Sequence, residues 1–294
     1  MNRNATLKPR RHFPALWKLI FLLTLATPTF AQDKPVVVWY VLDFPPINIV
    51  QGPDKGRGNR DAAMQQVIQH TPEFTHRITT SNGPRALDAL KNTPNACQPA
   101  LMYTAERAKF TEYSISSDWA LPNGVIILPE RIADFAPFLN TAGELELEKL
   151  LTESTLRFGI NVGRSYGEEI DVILARHPER LVDVASSNLF SSNLLKLVSQ
   201  SGFDATLGFP TELYYLIRTN AVPATFKFLP IAEARSMILG EIGCSKTEQG
   251  RQFITAFDRV LARPEVQTAI DAAALEWVPP DLRDYYRRRK AEQK

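Results

Sequence analysis

The pentapeptide Gly163-Arg164-Ser165-Tyr166-Gly167 fits G-x-S-x-G, which after a strand and before a helix can present a serine as a nucleophile. A serine hydrolase of that kind also needs a histidine downstream. Of the four histidines, His12, His70, His76 and His177, only His177 follows Ser165, 12 positions on and near the end of the same predicted helix. At 1.5 Å per residue it lies more than three turns away, so the triad order is not available. The alternative is structural: Ser165 and Glu168 have the spacing of a capping box, with Ser165 as N-cap. The exposed N–H groups of that first turn would then suit a carboxylate or another anion, or simply end a capped helix.

A second candidate is Tyr103-Thr104-Ala105-Glu106-Arg107, just past a predicted strand. Arg107 there can hold a carboxylate through two parallel hydrogen bonds, or pair on the surface with Glu106 or Glu112. No His, Cys and carboxylate cluster has metal-ligand spacing, so no metal or cofactor is expected. No phosphate loop of the form G-x-x-x-x-G-K-[ST] occurs.

These residues sit among alternating strand and helix signals, which indicate an α/β chain. Val36 to Val41 is a near-continuous β-branched run that suits a strand buried on both faces, closed by Phe44-Pro45-Pro46. A helix follows through Ala62, Met64, Val67 and Ile68, then a strand over Thr75 to Thr79 and a helix opened by Pro84. Ala100 to Tyr103 reads as a third strand. Further strands are expected at Val125–Leu128, Leu156–Ile160, Asp204–Gly208, Thr225–Leu229 and Met237–Ile242. Helices are expected from about Tyr166 to Arg176, over Leu189 to Val198 and after Pro210. A one-faced helix through Phe253, Ile254, Phe257, Val260 and Leu261 precedes two more helical stretches.

The start of the chain has the order of an export signal. Arg3, Lys8, Arg10 and Arg11 precede an apolar run from Leu16 to Ala26, and small residues at Thr29 and Ala31 precede an expected cut after Ala31. The alternative, an uncleaved anchor, has fewer apolar residues than the roughly 20 that span a bilayer. Residues 1–31 carry five of the 34 basic residues and none of the 32 acidic ones, so the product would be acidic, net −3. Nucleic acid is therefore not an expected partner. The cluster Arg287-Arg288-Arg289-Lys290 reads as the solvated end of a last helix. Cys97 and Cys244 could pair in an oxidising compartment, which their spacing alone does not show.

Taken in order, these segments resemble solute-binding protein family 3, the amino-acid-type receptors of bacterial ABC importers. Trp39 and the Phe44-Pro45-Pro46 turn open the match, and Gly56-Arg57-Gly58 and Asp61 continue it. Thr104-Ala105-Glu106-Arg107 with Phe110, Tyr113 and Ser114 looks like the family's T-x-x-R…F-S stretch. Gly163-Arg164-Ser165-Tyr166, Phe203-Asp204-Ala205 and the strand before Cys244 complete it. The resemblance implies the type II periplasmic-binding-protein fold, two α/β lobes joined by two crossing strands. Residues 36–121 plus 236–294 would form lobe one and residues 122–235 lobe two, after a signal peptide over 1–31.

It further implies that Arg107, with Thr104, holds the ligand's α-carboxylate, that Gly163 and Ser165 assist, and that Phe44 walls the cleft. Phe209 stands where amino-acid receptors place an acidic residue for the ammonium group, and Glu212 lies one helical turn further. The implied function is trapping of a small, carboxylate-bearing ligand for an ABC importer or a membrane sensor, by a periplasmic monomer that is not an enzyme. A dehydratase-like enzyme on the same fold and a binding module without a transporter are the alternatives. The implied fold also sets the third strand antiparallel to the returning one, which would bring Cys97 and Cys244 together as a disulfide.

Overall fold

The computed structural model describes residues 33–161, 164–184, 189–199, 202–222, 225–234 and 237–292. The expected export signal and its cleavage site, Gly163, and the lobe boundary at 235–236 lie outside the described residues.

The chain runs through β1 (Val36–Leu42), α1 (Asn59–His70), β2 (Thr75–Ser81), α2 (Gly83–Asn92), β3 (Ala96–Gln98), β4 (Thr111–Tyr113), β5 (Asp118–Ala120) and β6 (Gly124–Ile127). It continues with α3 (Ile132–Phe135), α4 (Leu147–Glu153), β7 (Phe158–Asn161), α5 (Glu168–Arg176), β8 (Leu181–Val184), α6 (Leu189–Val198), β9 (Ala205–Gly208), α7 (Pro210–Arg218) and β10 (Lys227–Leu229). The last elements are β11 (Ile238–Gly240), β12 (Gly243–Ser245), α8 (Glu248–Leu261), α9 (Pro264–Trp277) and α10 (Arg283–Ala291).

Two five-stranded sheets result, ordered β2-β1-β3-β12-β4 and β10-β6-β9-β7-β8, each the centre of one lobe. The strands β5 and β11 cross between them as an antiparallel pair, with Asp118 opposite Gly240 and Ala120 opposite Ile238. This is the expected two-lobed α/β architecture. The first core packs Val37, Trp39 and Val41 of β1 against Phe253, Phe257 and Val260 of α8. The second packs Val125, Ile127, Phe158 and Leu207 against Leu147, Leu150 and Ile170.

Three sequence expectations move. Ala100 to Tyr103 is not a strand; β3 is Ala96–Gln98, and the chain then leaves the sheet. Met237 to Ile242 holds only β11, in the crossing pair; the strand that returns to the first sheet, β12, begins after it at Gly243. Three-residue strands are too short to show a period, and their pairing decides them. The terminal basic cluster is only partly solvated. Arg289 pairs with Glu144 at 2.7 Å and Lys290 with Asp271, so α10 is tied to the hairpin before α4 as well as to α9. Among the described residues, no helix is long and apolar enough to cross a membrane.

Cys97 and Cys244 form a disulfide. They face each other in register on the antiparallel neighbours β3 and β12. The bond therefore lies inside the first sheet, whereas the sequence placed the two cysteines just outside the strand ends. For a span of 147 positions, chain-entropy arithmetic gives an upper figure of roughly 5 kcal/mol. Thiol counting on denatured, unreduced protein should find no reactive thiol, and reduction should lower the unfolding midpoint.

Trp39 of β1 stacks on His76 of β2, and its indole N–H donates to His76 Nδ1 at 3.1 Å. A ring whose Nδ1 accepts is neutral, with its proton on Nε2 beside Thr71. Burial pushes the His76 pKa below 6.5, against the opposing effects of the Thr71 backbone and Glu73. The stability linked to this ring is thus complete above pH 6.5 and is lost as pH falls towards the lower folded value, because the unfolded chain takes the proton first. Urea titrations at stepped pH should show that decline, and His76→Gln should remove its share of it.

Candidate functional site

The strands β1 and β3 run parallel and end on the same side of the first sheet. Ligand clefts of open α/β sheets form at such carboxyl ends. Here a cleft of about 760 Å³, open to solvent, lies between the lobes. Leu42, Phe44, Ile47, Asn48, Asn59, Arg60, Gln98, Ala100 and Met102 line it from the first lobe. Ala120, Ile238 and Leu239 come from the crossing strands, and Phe209 and Thr211 from the β9–α7 junction. Its walls are mostly apolar with a few polar groups at the α1 end, the lining expected of a small-molecule site.

Asp61 builds the first wall. From the first turn of α1 its carboxylate accepts from Gly58 N (3.0 Å), Ile49 N (2.9 Å) and Asn48 Nδ2 (2.8 Å). Those bonds fix the loop in which Phe44 bridges to Asn48. Gly58 must be a glycine here, since a Cβ would stand 2.5 Å from the Ile47 carbonyl. Phe44 itself is 37% exposed.

Arg164 builds the facing wall. Its guanidinium grips Glu212 with both terminal nitrogens, at 3.1 and 2.6 Å, and donates to Asn123 Oδ1 at 3.3 Å. It lies against the rings of Tyr166 and Phe209, 5.4 and 5.5 Å from their centroids. Glu212 also accepts from Phe209 N at 3.1 Å. The carboxylate nearest the expected ammonium position is thus committed to Arg164, and Phe209 presents a ring to the cleft.

The α1 end of the cleft is polar. Arg60 Nε stands 2.7 Å from Asp118 Oδ1, an ion pair whose N–H direction falls short of a hydrogen bond, and both side chains are buried. Asn59 Nδ2 donates to Asp118 Oδ2 at 3.1 Å. Burial pushes the Asp118 carboxyl up, and Arg60 and Ser117 oppose that. Burial likewise raises Glu241, against the pull of Arg60. Gly240 makes room for the pair, because a Cβ there would fall 1.7 Å from Arg60 Nη1 and 1.8 Å from Asp118 Oδ1.

The sequence candidates are placed as follows. Phe44 and Phe209 line the cleft. Arg107 Nη1 donates to the carbonyl of Met102 at 3.0 Å, and its backbone N–H donates to Thr104 Oγ1 at 3.1 Å, so both belong to the loop behind Met102. Tyr113 shares that carbonyl at 3.4 Å, and burial pushes its phenol up to about 12 despite Arg107.

Ser165 is not the N-cap of α5; Gly167 is, at φ 117°. The Ser165 hydroxyl donates to Asp171, whose other oxygen accepts from Tyr166 N at 2.8 Å. A carboxylate of the chain itself therefore occupies the approach to that helix start. His177 lies past the far end of α5 and bonds Glu148 at 3.1 Å, so no serine–histidine arrangement forms there.

Sequence reading missed Asn59, Arg60, Gln98 and Asp118. One signal was available: Asn59-Arg60-Asp61 is a polar run on the first turn of a helix whose following residues pack inward, and all three are buried. The two lobes also meet where α7 packs on α9. Arg218 lies 4.3 Å above the Trp277 ring and 3.8 Å from Glu276, with Tyr215 beside Trp277. Because Gly240 lies against the ion pair, Gly240→Ala should cost roughly 1–3 kcal/mol through overpacking, measured by urea unfolding. An unchanged midpoint would mean that the pair relaxes without loss.

No protein-family model and no curated protein matches the chain. Solved structures do match. The probable amino-acid ABC transporter extracellular-binding protein of Bacillus subtilis is 13% identical, with a TM-score of 0.66 over 85% of this chain and 100% of that one. The second substrate-binding domain of Lactococcus lactis GlnP, in its open conformation, is 15% identical, with a TM-score of 0.57 over 86% and 97%. The periplasmic VFT2 domain of Bordetella pertussis BvgS is 16% identical, with a TM-score of 0.57 over 83% and 94%. At such identities the likeness establishes the fold: this chain has the two-lobed architecture of these binding proteins and domains.

Proposed function

We propose that the chain is a periplasmic binding protein that closes its two lobes on a small solute carrying a carboxylate and an apolar body, and serves an ABC importer or a membrane sensor. The observation that carries this reading is the inter-lobe cleft, which pairs apolar walls at Phe44, Ile47 and Phe209 with one guanidinium, Arg60. Asp118 occupies the Nε side of Arg60. A guanidinium has five donors, and its two terminal nitrogens match a carboxylate edge-on. Lobe one is residues 36–121 plus 236–294 and lobe two residues 122–235, with an export signal over 1–31. Arg107 and Thr104 act at the rim, where Arg107 holds the Met102 carbonyl and Thr104 accepts from the Arg107 backbone, and Ser165 belongs to the second lobe's side of the site. Support for the importer or sensor role comes from solved proteins of the same fold, which include amino-acid ABC transporter binding proteins and a histidine kinase sensor domain.

Native mass spectrometry of the protein as purified should show a small molecule that leaves on denaturation. With that ligand, or with a panel of small carboxylates, Arg60→Lys keeps the charge but loses the two-pronged grip. It should cost roughly 2–5 kcal/mol of binding, as for other desolvated charge pairs, and Arg107→Ala should cost less. A protein that carries nothing and binds no carboxylate would sink the proposal.

A further inference from the structure

Two buried acceptors in the cleft have no partner among the described residues, Asn59 Oδ1 and Gln98 Oε1. Asn59 and Gln98 are 6% and 5% exposed, and both line the cleft beside Arg60. The orientation of the Asn59 amide is fixed, because its nitrogen donates to Asp118. Thr111 Oγ1 and Arg289 Nε also lack a hydrogen bond, but neither residue lines the cleft, and Arg60 Nε is a donor already paired with Asp118. A buried acceptor without a donor costs stability, and a ligand N–H placed there recovers it.

The carboxylates nearby are committed. Asp118 serves Arg60 and Asn59. Glu212 serves Arg164. Glu241 does not line the cleft. The walls thus offer a nitrogen uncharged amide oxygens, which suit an amide N–H and leave an ammonium charge uncompensated. Asn59 and Arg60 both meet the Asp118 carboxylate, so the ligand groups that meet them must also be neighbours.

Resting on the carboxylate reading above, we propose that the cleft selects N-acylated apolar amino acids over free amino acids. Their carboxylate meets Arg60, their amide N–H meets the oxygens of Asn59 and Gln98, and their side chain and acyl group fill the apolar walls.

Calorimetric titration of the intact exported protein can use N-acetyl-phenylalanine and N-acetyl-leucine. Hydrocinnamate and isocaproate serve as matched acids without nitrogen, and phenylalanine and leucine as the free amino acids. The acetylated compounds should bind about tenfold tighter than the matched acids, the effect of satisfying one buried acceptor, and the free amino acids weakest of all. Gln98→Glu sets a carboxylate beside the same space and should raise affinity for phenylalanine relative to N-acetyl-phenylalanine, with its thermal melt confirming the fold. Equal binding of hydrocinnamate and N-acetyl-phenylalanine would overturn the amide inference and leave the carboxylate reading standing. Tightest binding of free phenylalanine would overturn it as well. Silence from all six compounds would overturn both.

Discussion

The carboxylate of Asp118 has no exposure to solvent, and Arg60, 2.7 Å away, is the charge that balances it. A buried ion with no partner costs several kcal/mol, so the two side chains must be buried together. That requirement joins α1 of the first lobe to the crossing strand β5. It reserves the space at Gly240 on the partner strand, where no side chain fits. It orients Asn59, whose amide nitrogen completes the shell of Asp118. The polar end of the cleft and the pivot between the lobes are therefore one arrangement of side chains, and any ligand that touches Arg60 touches the hinge.

The two walls follow the same logic with different residues. Asp61 in one lobe and Glu212 in the other are both carboxylates on the first turn of a helix, where the free N–H groups and the helix dipole favour them. Asp61 organises backbone N–H groups and so shapes the loop of Phe44. Glu212 organises a guanidinium and so shapes the seat of Phe209. Each aromatic wall is held from behind by an acid that does not itself line the cleft.

Much of this fold was legible in the residues. The β-branched runs of β1 and β6 and the one-faced pattern of α8 locate the two cores, because burial on a sheet or a helix face imposes a period that survives in the sequence. Phe44 and Phe209 were legible as cleft residues through the resemblance. The rest is set by pairing at long range. Asp118 and Gly240 are 122 positions apart and acquire meaning only when β5 and β11 lie side by side. Ser165 shows the opposite failure: its spacing to Glu168 suits a capping box, yet Asp171, further along the first turn of α5, takes the hydroxyl. Short-range patterns compete with tertiary partners that a linear reading does not display.

The contact between α7 and α9 differs from the hinge in one physical respect. Arg218 and Glu276 are each about one third exposed, whereas Arg60 and Asp118 are almost wholly shielded. Dissolved ions screen exposed charges within a Debye length of about 8 Å at physiological salt and reach buried ones far less. Ionic strength therefore acts on the contact between α7 and α9 and leaves the Arg60–Asp118 pair alone.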